Sequence, residues 1–146
     1  KVGCYVDPGR AHTGELEVVD IGIAPAAITA VRDRFRLADD ALARALMPAR
    51  ARADHKGRFG RLLVVGGSAG LTGAVAMAGT AALRAGGGLV TVAVPSSLHD
   101  AMAAKLTEVM SLALPETGRR AISVRAVDEI RAAAAHADAV ALGPGM

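Results

Sequence analysis

The residues whose types and spacing suit chemistry here are small ones, GGSAGLTGA from Gly66 to Ala74. They follow an apolar run, LLVV at 62–65, and precede the helical-looking VAMAGTAALRAG. A strand-to-helix turn of Gly and small residues lets backbone approach a ligand closely, and the amides opening the helix carry the positive end of its dipole. Such a place favours an anion, and a phosphate above all. From His55 to His99 the chain has no Asp or Glu, yet it carries Lys56, Arg58, Arg61 and Arg84. Two causes fit that gap equally well: a cationic anion-binding region, or buried strands and helices that exclude carboxylates.

Two general phosphate motifs fail at this turn. A Walker A loop needs Gly-Lys-Ser or Gly-Lys-Thr where Gly73 is followed by Ala74. A dinucleotide fingerprint needs GxGxxG and a later acidic residue, whereas Gly67, Gly70 and Gly73 are spaced GxxGxxG and the next strand ends in Val94-Pro95. What remains is phosphate or nucleotide contact through backbone amides in another α/β arrangement. The other candidates have plainer roles. His55 and Lys56 fit a phosphate contact or a solvated linker equally, while His12, His99 and His136 read as structural or solvated. Cys4 is the sole cysteine, which rules out an internal disulfide and a multi-cysteine metal site. No HExxH spacing occurs, and no metal ligands are assigned.

The elements that must position the turn alternate. Strands are expected at 16–23 (LEVVDIGI), 61–66, 89–94, 109–114 and 138–143, and helices at 38–47, 73–85, 97–105 and 126–137. Asp39 or Asp40 starts the first helix and Pro48 ends it; Ser97 with Asp100 reads as a capping box for the third. Val127, Ile130 and Ala134 share one face of the last. LVTVAV at 89–94 is β-branched and almost wholly apolar, as a parallel strand buried on both faces requires. Strands separated by helix-length segments predict βαβ units, hence an α/β fold.

Composition sets outer limits. With 146 residues, 52% hydrophobic and only 2% aromatic, one domain's core must be built from Ala, Val, Leu and Ile. The longest uncharged run, Leu62 to Leu83, is broken by Gly, Ser and Thr, so no membrane span is expected. A pI near 9.6 raises nucleic acid as a partner, but the cations are scattered and stacking aromatics are nearly absent, so none is expected. The basic run Arg50 to Arg61 reads as a solvated linker. The first residue is Lys, the opening reads as the end of a domain, and DAVALGPGM reads as a strand entering a second Gly-rich turn. A piece of a longer protein is therefore expected.

The run HKGRFGRLLVVGGSAGLTGA (55–74), continued by ALRAGGGLVTVAVP to Pro95 and closed by ALGPG at 141–145, resembles the first half of the ADP- or ATP-dependent NAD(P)H-hydrate dehydratases. Upstream, VGCYVDPGRAHTGELEVVDIGI resembles the end of the NAD(P)H-hydrate epimerase domain that many bacteria fuse in front of it. This resemblance implies an epimerase-like tail at 1–24, a linker with a short helix at 25–54, and the N-terminal half of a dehydratase domain at 55–146. The implied fold is a ribokinase-like parallel sheet with helices on both faces, present only as its N-terminal portion. The implied reaction eliminates water from a hydrated nicotinamide ring, coupled to ADP or ATP and with Mg2+, while K+ would serve the missing epimerase domain. By resemblance Gly73, Ala74 and Gly145 lie against the NAD(P)H hydrate, and Gly66, Gly67 and Ser68 shape the turn. The family's catalytic Asp lies beyond Met146, so no catalytic residue is expected in this chain, and the chain alone is expected to be inactive. A cytoplasmic location and a homo-oligomeric full-length protein complete the implication. A ribokinase-type small-molecule kinase fragment and a non-enzymatic nucleotide-binding piece stand as alternatives.

Overall fold

The computed structural model describes residues 2–31 and 35–146; residue 1 and linker positions 32–34 lie outside the described residues. The chain divides into two compact units, Lys1–Leu46 and Met47–Met146.

In the first unit two 3-10 turns, Val2–Cys4 and Gly9–His12, precede two short helices, α1 (Pro25–Ala30) and α2 (Asp40–Leu46). The expected strand at 16–23 does not form: the segment has no regular structure, and Val18 and Ile21 are 82% and 79% exposed. Its apolar alternation suits a strand, but an extended segment needs a neighbour to take its backbone groups, and none pairs with it among the described residues. The helix α1 was not expected; Pro25 occupies its first turn, where a missing N–H is harmless. In α2 the Asp39 carboxylate accepts a hydrogen bond from the Leu42 amide at 2.8 Å, as an N-terminal cap does.

The second unit is a four-stranded parallel sheet. Strand β1 is Arg61–Val65, followed by helix α3 (Thr72–Arg84), β2 (Leu89–Pro95), α4 (His99–Lys105), β3 (Met110–Leu114), α5 (Val127–Ala134) and β4 (Ala139–Leu142). The spatial order is β3-β2-β1-β4, all parallel. Because β1 is an inner strand, its last three residues, Leu63, Val64 and Val65, are buried. Val64 joins Val90, Val92 and Val94 of β2 under α3 and α4, with Val75, Met102 and Leu106 filling that layer. Leu63, Val65, Ala93 and Leu114 face the opposite way and meet Ile130, Ala133 and Ala134 of α5. Each fully buried Val or Leu is worth roughly 1.5–3 kcal/mol relative to exposure, so a nearly aromatic-free core suffices. Helices thus cover both faces of the sheet, in the expected α/β arrangement.

One local expectation is corrected. Ser97 does not cap a helix through Asp100. Residues Ser96–Leu98 form a 3-10 turn before α4, and the Ser97 amide and hydroxyl both donate to Glu116, at 3.0 and 2.8 Å. Asp100 instead contacts the His99 ring at 3.2 Å.

Candidate functional site

Parallel strands place all their C-terminal ends on one side, which is where α/β folds bind ligands. Here that side carries the turn 66–71 after β1 and the Gly143-Pro144-Gly145 turn after β4. The two turns interlock through backbone. Gly67 donates its amide to the Pro144 carbonyl at 2.9 Å, Gly143 donates to Val65 at 3.0 Å, and the Ser68 hydroxyl donates to the Gly145 carbonyl at 2.8 Å. A Cβ at Gly66 would run into the Pro144 carbonyl oxygen, and one at Gly145 into that of Leu71, both far inside van der Waals contact. Gly145 also holds φ +73°, a left-handed conformation that L side chains rarely adopt.

Most amides of the turn are already engaged. Gly66 donates to Ala93 at 3.1 Å, Ala69 to Arg120 at 3.1 Å, and Leu71 back to Ser68 at 2.9 Å. Gly66 thus spends its amide on β2, and Gly67 its amide and Ser68 its hydroxyl inside the paired turns. Beside the Ser68 and Gly70 amides, the open groups are at the start of α3, whose first N–H groups have no intrahelical acceptor and whose N-cap, Leu71, offers no side-chain cap. Gly73 sits there exposed, with nothing within 4 Å of where its Cβ would be, and Ala74 follows it half-buried. So Gly73, Ala74 and Gly145 lie at the adjoining ends of β1 and β4, although Gly145 is packed while Gly73 is open. The arrangement presents a positive helix terminus over a small-residue floor, able to hold an anionic or strongly polarised group.

The cations of the acid-free segment do not help. Lys56, Arg58 and Arg61 precede or open β1, and Arg84 closes α3, so all four lie toward the N-terminal ends of the strands, away from the turn. His55 is likewise at that far end, as N-cap of the 3-10 turn Lys56–Phe59. Arg50 belongs to the same end, stacked 4.2 Å from the Phe59 ring centre and bonded to the Gly86 carbonyl. Asp138 pins the two strand starts together: it accepts from the Arg61 amide at 2.7 Å and returns its own amide to the Arg61 carbonyl.

Sequence reasoning missed the hairpin-like segment 115–123. Antiparallel bridges join Ser68 to Ala121 and Glu116 to Ile122, and the Arg120 side chain donates to the Ser97 hydroxyl at 2.9 Å. Bonds from Ser97, with Arg120 nearby, hold the Glu116 carboxyl below the usual carboxylate range. The turn residues Thr117-Gly118 were the available signal, but they do not name the distant partners. Among the described residues no three His, Cys, Asp or Glu side chains group as a metal site, and no helix is long and apolar enough to cross a membrane.

A family model described as NAD(P)H-hydrate dehydratase matches residues 62–146. The chain is 47% identical over 146 residues to the bifunctional NAD(P)H-hydrate repair enzyme Nnr of Moorella thermoacetica, covering 100% of this chain and 28% of that protein. It is 43% identical over 99 residues to the ADP-dependent (S)-NAD(P)H-hydrate dehydratase of Xanthomonas campestris, covering 68% of this chain and 34% of that protein. Among solved structures, a hypothetical protein of Streptococcus mutans superposes with TM-score 0.59 at 33% identity, over 75% of this chain and 36% of its own. A ribokinase-like superfamily protein of Enterococcus faecalis does so with TM-score 0.59 at 21% identity, over 79% of this chain and 39% of its own, which establishes a ribokinase-like fold. The chain thus spans only 28% of the length of the bifunctional relative that it matches from end to end. The glycine turn, the second turn at 143–145 and the sheet between them all fall inside the matched region, and the chain belongs to the NAD(P)H-hydrate dehydratase family.

Proposed function

We propose that the chain supplies the nicotinamide-side half of a nucleotide-dependent (S)-NAD(P)H-hydrate dehydratase, in a protein that also carries an NAD(P)H-hydrate epimerase domain. The observation that carries this reading is the open start of α3 at Gly73, beside a second glycine turn locked to it through Gly67, Ser68 and Gly145. Gly73, Ala74 and Gly145 are the proposed contacts to the hydrated nucleotide, and Gly66, Gly67 and Ser68 the residues that hold their floor. Residues 55–146 are the proposed dehydratase portion, 1–24 the epimerase tail and 25–54 the connection; end-to-end similarity to a bifunctional relative supports this division. Hydroxide leaves a ring carbon poorly; in the proposed reaction the hydroxyl takes the terminal phosphoryl group of an adenine nucleotide, ADP in the relatives so named, as the phosphoanhydride bond breaks and the shortened nucleotide departs, and the C–O bond then breaks with loss of phosphate and a ring proton. Mg2+ with the nucleotide, and K+ for the epimerase domain, belong to the same proposal; among the described residues no three His, Cys, Asp or Glu side chains group as a metal site. This reading carries with it a cytoplasmic site of action, a homo-oligomeric full-length protein and no turnover by the 146-residue chain alone.

Calorimetric titration of the chain with hydrated NADH tests it. Saturable binding is expected, weakened about tenfold or more by Gly73→Leu, which fills the open space before the first turn at a helix-tolerant position. Equal affinity in the two proteins would remove Gly73 from the site.

A further inference from the structure

Segment 115–123 lies against the glycine turn with Ile122 packed on the core beneath it, while its tip, 117–120, is exposed. The Ala69 amide, in the middle of that turn, depends on it, donating to the Arg120 carbonyl at 3.1 Å. Arg120 holds φ +57°, unusual for a residue with a side chain and costly unless its surroundings enforce it. Those surroundings are polar and specific. Its guanidinium donates from Nε to the Ser97 hydroxyl at 2.9 Å and from Nη2 to the Ser97 carbonyl at 3.4 Å. Ser97 in turn gives its amide and hydroxyl to one oxygen, Oε2, of Glu116. Glu116 sits at the other end of the same segment, bridged to Ile122, with Arg125 Nη2 3.5 Å from its carbonyl oxygen. Ser97 follows β2 directly, so the segment is tied to the C-terminal end of β2 through side chains and to the turn after β1 through backbone.

We propose that Ser97, Glu116 and Arg120 are positioning residues: a side-chain relay that clamps segment 115–123 onto the glycine turn and so presets the start of α3 for its ligand. None of the three is assigned a contact with the ligand. The ligand part of this inference rests on the function proposed above; the clamp itself does not.

Amide hydrogen exchange read residue by residue separates the two. In Glu116→Ala the Ala69 amide is expected to exchange about tenfold faster, while Gly67, whose acceptor is Pro144, and the amides of β1 and β2 keep their protection. Glu116→Gln, which retains one oxygen for Ser97, should restore part of the protection at Ala69. Arg120→Gly adopts the positive φ freely and removes only the side chain; it should also speed exchange at Ala69. Unchanged exchange at Ala69 in both Glu116→Ala and Arg120→Gly would overturn the clamp, and so would loss of protection throughout β1 and β2, which would make these residues general stabilisers. The affinity of the same variants for hydrated NADH is expected to fall several-fold. Faster exchange at Ala69 with unchanged affinity would uphold the clamp and overturn the presetting of α3, whereas affinity also unchanged in Gly73→Leu would remove the turn from the ligand site.

Discussion

Gly66 and Gly145 act at the residue scale through what they lack. Each lies against a backbone carbonyl that a methyl group would strike, Pro144 for the first and Leu71 for the second. Backbone atoms cannot swing aside as a side-chain tip can, so the two turns must separate or distort. Gly66→Ala and Gly145→Ala are therefore each expected to destabilise the chain by about 2 kcal/mol or more, read as a lower denaturant midpoint. Gly73→Leu should leave that midpoint nearly unmoved, because no atom occupies the space. The sequence shows three glycines at 67, 70 and 73 and a GPG at 143–145, which is enough to suspect two turns. It does not reveal that the turns touch, since Gly66 and Pro144 are joined by the pairing of β1 with β4 and not by proximity along the chain.

Elements were legible in proportion to how much of their folding is local. Strands β1, β2 and β3 and helix α3 fall within a residue or two of their expected bounds, because continuous apolar runs and an Ala-rich stretch carry their own signals. The strand at 16–23 fails because a strand is made by its neighbour, and Ser97 is misread because its partner Glu116 is nineteen positions away. The charge of that partner makes segment 115–123 sensitive to acid. The amide and hydroxyl of Ser97 favour the ionised Glu116, as does the charge of Arg120, so its carboxyl titrates below the usual range. A lowered folded value means the anchorage is fully present above the ordinary carboxylate pKa of about 4.3 and is lost as pH falls through the lowered one. The shifts of segment 115–123 in NMR spectra should accordingly hold constant from neutral pH to about 4.5 and change only below it; a transition near neutrality would contradict this.

At the scale of the second unit, the cations of residues 55–99 and the glycine turns are separated along the strands. Lys56, Arg58, Arg61 and Arg84 gather toward the N-terminal ends, while both glycine turns and the Ser97, Glu116 and Arg120 relay lie at the C-terminal ends. The acid-free stretch 55–99 thus reflects buried elements more than a cationic ligand site. An amide-resolved NMR titration of the chain with hydrated NADH shows where the nucleotide sits. Saturable shifts are expected at Thr72, Gly73, Ala74 and Gly145, with Lys56, Arg58 and Arg84 unmoved. Saturable shifts clustered at the cationic end, or no saturable shift at Gly73 and Ala74, would contradict the assignment of the glycine turn to the hydrated nicotinamide nucleotide.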